Sequence, residues 1–164
     1  MFHYFALTLN KLRKFEKKIL KKIDFPDRLL QYEGKFTEVD GYSCDKKTFK
    51  SAFASTYTLN DLGGNYYTIE RDFNEYRFRL LIHKTSGIVL IFHIDVFKDN
   101  QKQPIGFRQY ASVFNEFPIN KKLYNENWGF NNFEEMKEYL QDMITLFDDF
   151  VDEYINQLKS GKTP

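Results

Sequence analysis

The residues best suited to chemistry lie on two predicted strands in the middle of the chain. Arg77 and Arg79 alternate with apolar residues in the first strand, and His93 and Asp95 do so in the second. If the strands pair, these four side chains share one face of a sheet. Such a cluster could bind an anion or carry out acid–base chemistry. Cross-strand ion pairing explains it as simply, and we favour that structural role.

The alternation of apolar and polar residues over 76–96 predicts the β-hairpin that positions this cluster. Gly87, in the turn segment 85–87, favours a three-residue loop with a left-handed glycine. The predicted register pairs apolar side chains across the hairpin: Ile82 with Leu90, Leu80 with Phe92, and Phe78 with Ile94. On the other face, Arg77 lies opposite Asp95 and Arg79 opposite His93. Apolar residues share that second face, so we expect the N-terminal helix or a partner to cover part of it.

Short connections and a period of two predict an antiparallel meander of five or six strands. The predicted strands are residues 35–44, 49–58, 66–72, 75–83, 88–97 and 106–117. The fold class is α+β, with the sheet flanked by an N-terminal basic helix and a long C-terminal acidic amphipathic helix. We expect the C-terminal helix to pack across the apolar face of the hairpin.

Two segments have the hydrophobic spacing of amphipathic helices. The first covers residues 9–24, and residues 26–32 are predicted to add a short helical turn. The second begins at Asn132, which forms a capping signal with Glu135, and ends near Lys159 before Gly161. Seven basic residues and one acid give residues 11–22 a charge of +6, whereas eight acids and Lys137 give residues 134–153 a charge of −7.

The pattern predicts a single domain over 1–164, with a helical segment 1–34, a sheet 35–117, a loop 118–131, a helix 132–159 and a tail 160–164. Cys44 is the only cysteine, which excludes an intramolecular disulfide or a cysteine-based zinc cluster and suits a reducing compartment. The N-terminus has no signal-peptide pattern, and the longest apolar run is too short to cross a bilayer. We expect a cytoplasmic protein with no cofactor, metal or membrane association, and the sequence leaves its oligomeric state open.

The opposite charges of the two predicted helices allow two interpretations. The helices can neutralise each other on one side of the sheet or be solvated, which we favour. Alternatively, the acidic stripe docks a basic protein, which would offset a like-charge repulsion of about 0.2 to 0.5 kcal/mol per i,i+4 pair. The residues predicted to bind this partner are Glu138, Asp142, Asp148, Asp149, Asp152 and Glu153, with Trp128 as a candidate anchor. A total charge of +1 and the absence of a recognisable motif argue against nucleic acid.

The sequence contains no family motif and no evident catalytic constellation. We therefore expect a protein-binding module without enzymatic activity, most concretely an immunity or inhibitor protein that occludes the active surface of a toxin or effector. Nuclease toxins are basic because they bind phosphate backbones, so an acidic inhibitor would complement one. The alternatives are a nucleic-acid- or nucleotide-acting enzyme that uses Arg77, Arg79, His93 and Asp95, and a regulatory subunit of a larger assembly.

Overall fold

Antiparallel pairing runs through the whole described sheet. A computed structural model of the protein describes residues 12–31, 42–84, 90–104, 110, 117 and 130–164. The helices are α1 Lys14–Lys22, α2 Phe25–Leu30, α3 Lys46–Ser51 and α4 Phe133–Lys159. The strands are β1 Asn60–Gly63, β2 Tyr66–Phe73, β3 Tyr76–Lys84, β4 Leu90–Lys98 and β5 Gln101–Lys102. In this part of the chain, five strands follow the order β1-β2-β3-β4-β5, so the α+β class is confirmed.

Tight turns join β1 to β2 and β4 to β5. Gly64 and Asn65 connect β1 to β2 with φ values of 56° and 64°, and Asp99 and Asn100 connect β4 to β5 with φ values of 50° and 61°. Positive φ at both central residues is the type I′ geometry, whose twist matches that of paired antiparallel strands. Glycine, asparagine and aspartate tolerate this conformation better than other residues.

The β3–β4 hairpin has a different register from the predicted one. The observed apolar pairs are Ile82 with Phe92, Leu80 with Ile94, and Phe78 with Val96. Lys84 pairs with Leu90, so five residues separate the paired ends instead of three. The register is therefore displaced by two residues. Because side chains alternate with a period of two, each residue keeps its predicted face while its cross-strand partner changes. The predicted partners of Arg77 and Arg79 are wrong, but their face is correct.

The apolar face of the hairpin packs against α4, as the sequence predicts. The ring centroids of Phe78 and Tyr154 lie 5.1 Å apart, and those of Phe92 and Tyr139 lie 5.6 Å apart. These four rings are buried. Phe15 of α1 contacts Tyr154 from the other direction, with centroids 4.8 Å apart. The N-terminal and C-terminal helices therefore lie on the same side of the sheet.

The start of α4 follows the predicted capping signal. The side chain of Asn132 accepts a hydrogen bond from the backbone N–H of Glu135 at 2.9 Å. The carboxylate of Glu135 accepts one in return from the backbone N–H of Asn131 at 3.0 Å. Each bond satisfies a donor that the first turn would leave open. At the other end of the chain, α1 is shorter than the predicted helix 9–24, of which residues 9–11 lie outside the described residues; α2 forms where a short turn of helix was predicted.

The prediction of a strand over 49–58 is wrong, because this segment begins with the last residues of α3 and continues into turns. Asp45 caps α3 by accepting a hydrogen bond from the backbone N–H of Thr48 at 2.7 Å. Phe49 and Phe53 are four residues apart, a spacing that fits one helix face as well as one strand face. Their ring centroids lie 5.3 Å apart. Phe49 of α3 belongs to the core, and Phe53, just after the end of α3, packs against it.

Three other predicted segments fall partly or wholly outside the described residues. Residues 42–44 of the predicted strand 35–44 are not in a strand, and residues 35–41 are not described. Of the predicted strand 106–117, only Tyr110 and Phe117 are described, and neither is in a strand. The predicted loop is described only at residues 130 and 131. β1 and β5 occupy segments where the sequence predicted breaks.

Candidate functional site

The outer face of the sheet, opposite α4, carries the four residues predicted to do chemistry. Arg79 on β3 lies directly opposite Asp95 on β4. Its guanidinium donates a hydrogen bond to Asp95 Oδ2 at 2.8 Å. Lys102 of β5 forms a second ion pair with the same carboxylate. Asp95 is fully buried, so this ion triplet has a buried anion and two partly exposed cations.

The structure does not bring all four predicted residues into one constellation. Arg77 lies opposite Phe97 and pairs instead with Asp72 of β2, its Nε 3.0 Å from Oδ1. The hydrogen bond to Asp72 raises the pKa of Arg77 above its usual value. His93 lies opposite Leu81. The cluster therefore divides into the ion triplet and a separate pair between β2 and β3.

The ion triplet is better suited to holding strands together than to acid–base chemistry. Two cations contact the Asp95 carboxylate, Arg79 from β3 and Lys102 from β5, so the contacts link three neighbouring strands. The guanidinium of Arg79 also lies over the ring of Phe97, 4.8 Å from its centroid. Lys102 was missed in the sequence because it lies in a predicted break between strands. The Asp99-Asn100 turn was the available signal, since it returns the chain to pair with β4.

The acidic residues of α4 form ion pairs with three neighbouring elements. Lys22 Nζ of α1 lies 2.8 Å from Glu153 Oε2, and Arg28 Nη1 of α2 lies 2.6 Å from Asp149 Oδ2. Arg71 of β2 bridges two further carboxylates, those of Asp148 at 3.1 Å and Asp152 at 2.6 Å. The hydroxyl of Tyr57 also donates to Asp148 at 2.9 Å. These contacts pair three cations with four acids of α4; α2 and β2 supply two of the cations, and the basic helix α1 supplies one.

Exposure separates the six predicted acidic residues of α4 into different environments. The Asp149 and Asp152 side chains remain 42% and 61% exposed despite their ion pairs. Glu138 is exposed, whereas Asp142 is half-buried. Burial raises the pKa of Asp142, and the charge of Arg28 opposes that shift. Glu153 is nearly buried and pairs with Lys22 of α1, although it lies only one helical turn from the exposed Asp149.

Cys44 and His83 pack against neighbouring side chains, and the candidate anchor Trp128 lies outside the described residues. Cys44 is half-buried, with its Sγ 4.0 Å from Met136 Sδ. His83 stacks on the exposed ring of Tyr66, with centroids 4.1 Å apart. Trp128 is not among the described residues. Within the part of the chain that the structure describes, no group of three histidine, cysteine or acidic side chains could hold a metal ion. A search of the same residues found no helix long and apolar enough to cross a membrane.

Comparison of the chain with protein-family models, with curated proteins and with solved structures found no match. The functional argument therefore depends on the geometry and charge of the described residues.

Proposed function

We propose that this protein is a small protein-binding module, of the immunity or inhibitor type, that docks a basic partner on the acidic face of α4. The acidic face consists of Glu138, Asp142, Asp149 and Asp152. The observation that most supports this proposal is that Asp149 and Asp152 stay substantially exposed although each pairs with an arginine. Their carboxylates are held in position and remain accessible to a partner.

Fixed carboxylates suit recognition for an entropic reason. A side chain that an ion pair already orders loses less rotamer freedom when a partner binds. Arg28 and Arg71 provide this order for Asp149 and Asp152. Complementary charge then accelerates the encounter and disfavours acidic proteins as partners. The internal ion pairs offset the repulsion along α4, so the proposal depends on the exposure of the carboxylates instead of on unrelieved repulsion.

The inhibitor class is proposed because of the partner that an acidic face would select. A nuclease-type toxin has a basic active surface, since that surface must attract phosphate groups. A protein that covers such a surface needs complementary charge and shape, and it needs no catalytic group of its own. Docking through α4 would leave the ion triplet on the outer face of the sheet in its structural role.

The ion pair between Arg71 and Asp152 allows a test of this proposal, because replacing either partner breaks the pair while changing the net charge in opposite directions. Asp152→Asn removes a negative charge from the acidic face, whereas Arg71→Gln removes a positive charge beside it. Binding of a basic partner should weaken with Asp152→Asn. It should strengthen with Arg71→Gln, because the gain of one net negative charge outweighs the lost order of the short Asp152 side chain. Wild-type and variant proteins would be used as baits in lysate of the source organism. The captured protein would then be purified and its affinity measured at two salt concentrations.

The exposed acid Asp72 on the outer sheet face provides the matched control, because Asp72→Asn removes the same charge far from α4. Its affinity should stay at the wild-type value. If Asp72→Asn and Asp152→Asn weakened partner binding equally, the effect would come from net charge alone, which would contradict docking on α4. The proposal would also fail if Arg71→Gln weakened binding while its thermal unfolding showed a folded protein.

A further inference from the structure

Lysines from two elements meet over a buried carboxyl–amide pair near the end of α4. Glu153 and Gln157 lie one helical turn apart, and the Gln157 amide donates a hydrogen bond to the Glu153 carboxylate. Both residues are buried. Lys22 of α1 donates to Glu153 at 2.8 Å, and Lys162 donates to Gln157 Oε1 at 2.8 Å. The two ammonium groups therefore approach the same buried pair from different elements.

Backbone geometry fixes the position of Lys162. Gly161 has a φ of 76°, and its N–H donates to the carbonyl of Leu158 at 2.9 Å. The N–H of Lys162 donates to the carbonyl of Gln157 at 3.1 Å. These two bonds form a Schellman motif, which reverses the chain at the helix end. Lys162 is thus returned over the last turn of α4 instead of extending away from it.

Lys18 adds a third ammonium group to this position. It precedes Lys22 by one turn of α1, so both side chains lie on the same helix face. Desolvation, followed by the nearby charges of Lys18 and Lys22, lowers the pKa of Lys162. Glu153 supplies one negative charge against these three positive charges. The group therefore carries a net charge of +2 concentrated over one turn of helix.

We propose that Lys18, Lys22 and Lys162 form a binding site for a phosphate-type oxyanion, either inorganic phosphate or the terminal group of a phosphate monoester. Three ammonium groups can donate to separate oxygens of one tetrahedral anion, and a dianion balances the net charge of +2. Lysine binds phosphate as a point charge with rotatable donors, so the site needs no planar fork. Convergence on one point fits a compact anion, whereas an extended nucleic acid would need a row of cations and a larger positive charge.

Calorimetric titration with inorganic phosphate at pH 7, with ionic strength held constant by sodium chloride, tests the site. Lys162→Gln and Lys18→Gln should each weaken phosphate binding by about tenfold, the effect of one charge-assisted hydrogen bond. Lys21→Gln removes the same charge from an exposed position on α1 and should leave the affinity unchanged. Sulfate should compete, because ammonium groups donate only and sulfate presents the same tetrahedral set of acceptor oxygens.

The phosphate source is assigned by a parallel titration with glycerol 1-phosphate. Equal affinity supports a site for phosphate carried on a small molecule, and affinity for inorganic phosphate alone supports a site for the free anion. Equal weakening by Lys21→Gln and Lys162→Gln would overturn the proposal, because it would show diffuse attraction to α1. The proposal would also be overturned if titration with phosphate gave no more heat than titration with sodium chloride.

Discussion

Replacing Arg79 by glutamine should destabilise the protein more than replacing Asp95 by asparagine, although both changes break the same ion pair. Asp95 is fully buried, whereas Arg79 and Lys102 keep 30% and 44% of their side chains exposed. In Arg79→Gln, the buried carboxylate retains one cation, Lys102. In Asp95→Asn, both cations can turn toward solvent. The free-energy costs of the two substitutions should therefore be unequal.

The size of the difference follows from the 2.8 Å separation of Arg79 and Asp95. With an effective dielectric constant of about 20, the Coulomb attraction at this distance is about 6 kcal/mol. Desolvation offsets much of it, so losing one partner of a buried pair costs about 3 to 5 kcal/mol. Because Lys102 remains, we expect a cost of about 2 to 3 kcal/mol for Arg79→Gln, or about 4 to 12 °C in melting temperature. We expect about 1 kcal/mol for Asp95→Asn.

Urea unfolding of the wild type, the two single variants and the double variant measures the coupling directly. The double variant should be about as stable as Asp95→Asn alone, because glutamine at position 79 then faces no buried charge. This gives a coupling free energy of about 2 to 3 kcal/mol, equal to the cost of Arg79→Gln in the wild type. Additive costs, with a coupling below about 0.5 kcal/mol, would refute the assignment of Arg79 to a buried ion pair.

The same measurement constrains the hypothesis that the outer sheet face is enzymatic. Substituting Arg79 removes a stabilising charge, so a loss of activity in that variant would combine chemistry with unfolding. His93 lies outside the Arg79–Asp95 pair in the observed register. An activity that disappears in His93→Ala at unchanged stability would support the enzyme hypothesis, and an unchanged activity would count against it.

Further substitutions test other parts of the fold. Burial raises the pKa of Glu153, but hydrogen bonds from Lys22 and Gln157 lower it, and the net shift is downward from the usual 4.5. A carboxyl group whose pKa is lower in the folded state stabilises the fold above the unfolded pKa, and this stabilisation is lost as pH falls through the folded pKa. Glu153→Gln removes the group, so the urea midpoint should decline less steeply below about pH 4.5 than it does in the wild type. Asn132→Ala should cost about 1 kcal/mol in thermal unfolding, and Asn132→Ser should retain most of the cap. Leu80→Ala in the core should cost about 2 to 5 kcal/mol, whereas Leu62→Ala, at 59% exposure, should change stability by less than about 0.5 kcal/mol in the same assay.

The hairpin shows how far a hydrophobic pattern can specify a sheet. Alternation assigns each residue of β3 and β4 to the correct face, because the period of the pattern equals the period of the strand. It does not distinguish registers that differ by two residues, since both bury the same apolar side chains. The observed register is the one that places Arg79 opposite Asp95. Charge on the outer face does not decide between the two registers either, because the predicted register places Arg77 opposite the same Asp95.

Short elements were harder to predict than long ones for a related reason. α4 is long enough for its spacing and its cap at Asn132 to identify it, and both of its bounds are confirmed within a residue. Around the six-residue helix α3, the only apolar signal was Phe49 inside it and Phe53 just after it, a pair compatible with helix or strand. β1 and β5 are short edge strands rich in turn-forming and polar residues, so the local sequence indicated breaks. Their pairing is specified by the type I′ turns at Gly64-Asn65 and Asp99-Asn100.

Residues that orient the candidate acidic face could not be found from local sequence. Arg28 lies 121 residues before Asp149, and Arg71 lies 81 residues before Asp152. Neither arginine belongs to the basic helix that the sequence identified as the partner of α4. Composition indicated that positive charge would lie beside the acidic helix, and three cations pair with four of its acids. Only the packing of α2 and β2 beside α4 determines which cations do so.

The distribution of acids along α4 helps to orient the helix within the fold before any partner is considered. Successive helical residues point about 100° apart, so neighbouring carboxylates face different elements. Asp152 turns toward Arg71 of β2, Glu153 turns toward Lys22 of α1, and Asp149 turns toward α2. A rotation of α4 about its axis would break all three contacts together. The acidic composition therefore favours one orientation of the helix, in which the Asp149 and Asp152 side chains stay exposed while Glu153, one turn from Asp149, is buried beside Lys22.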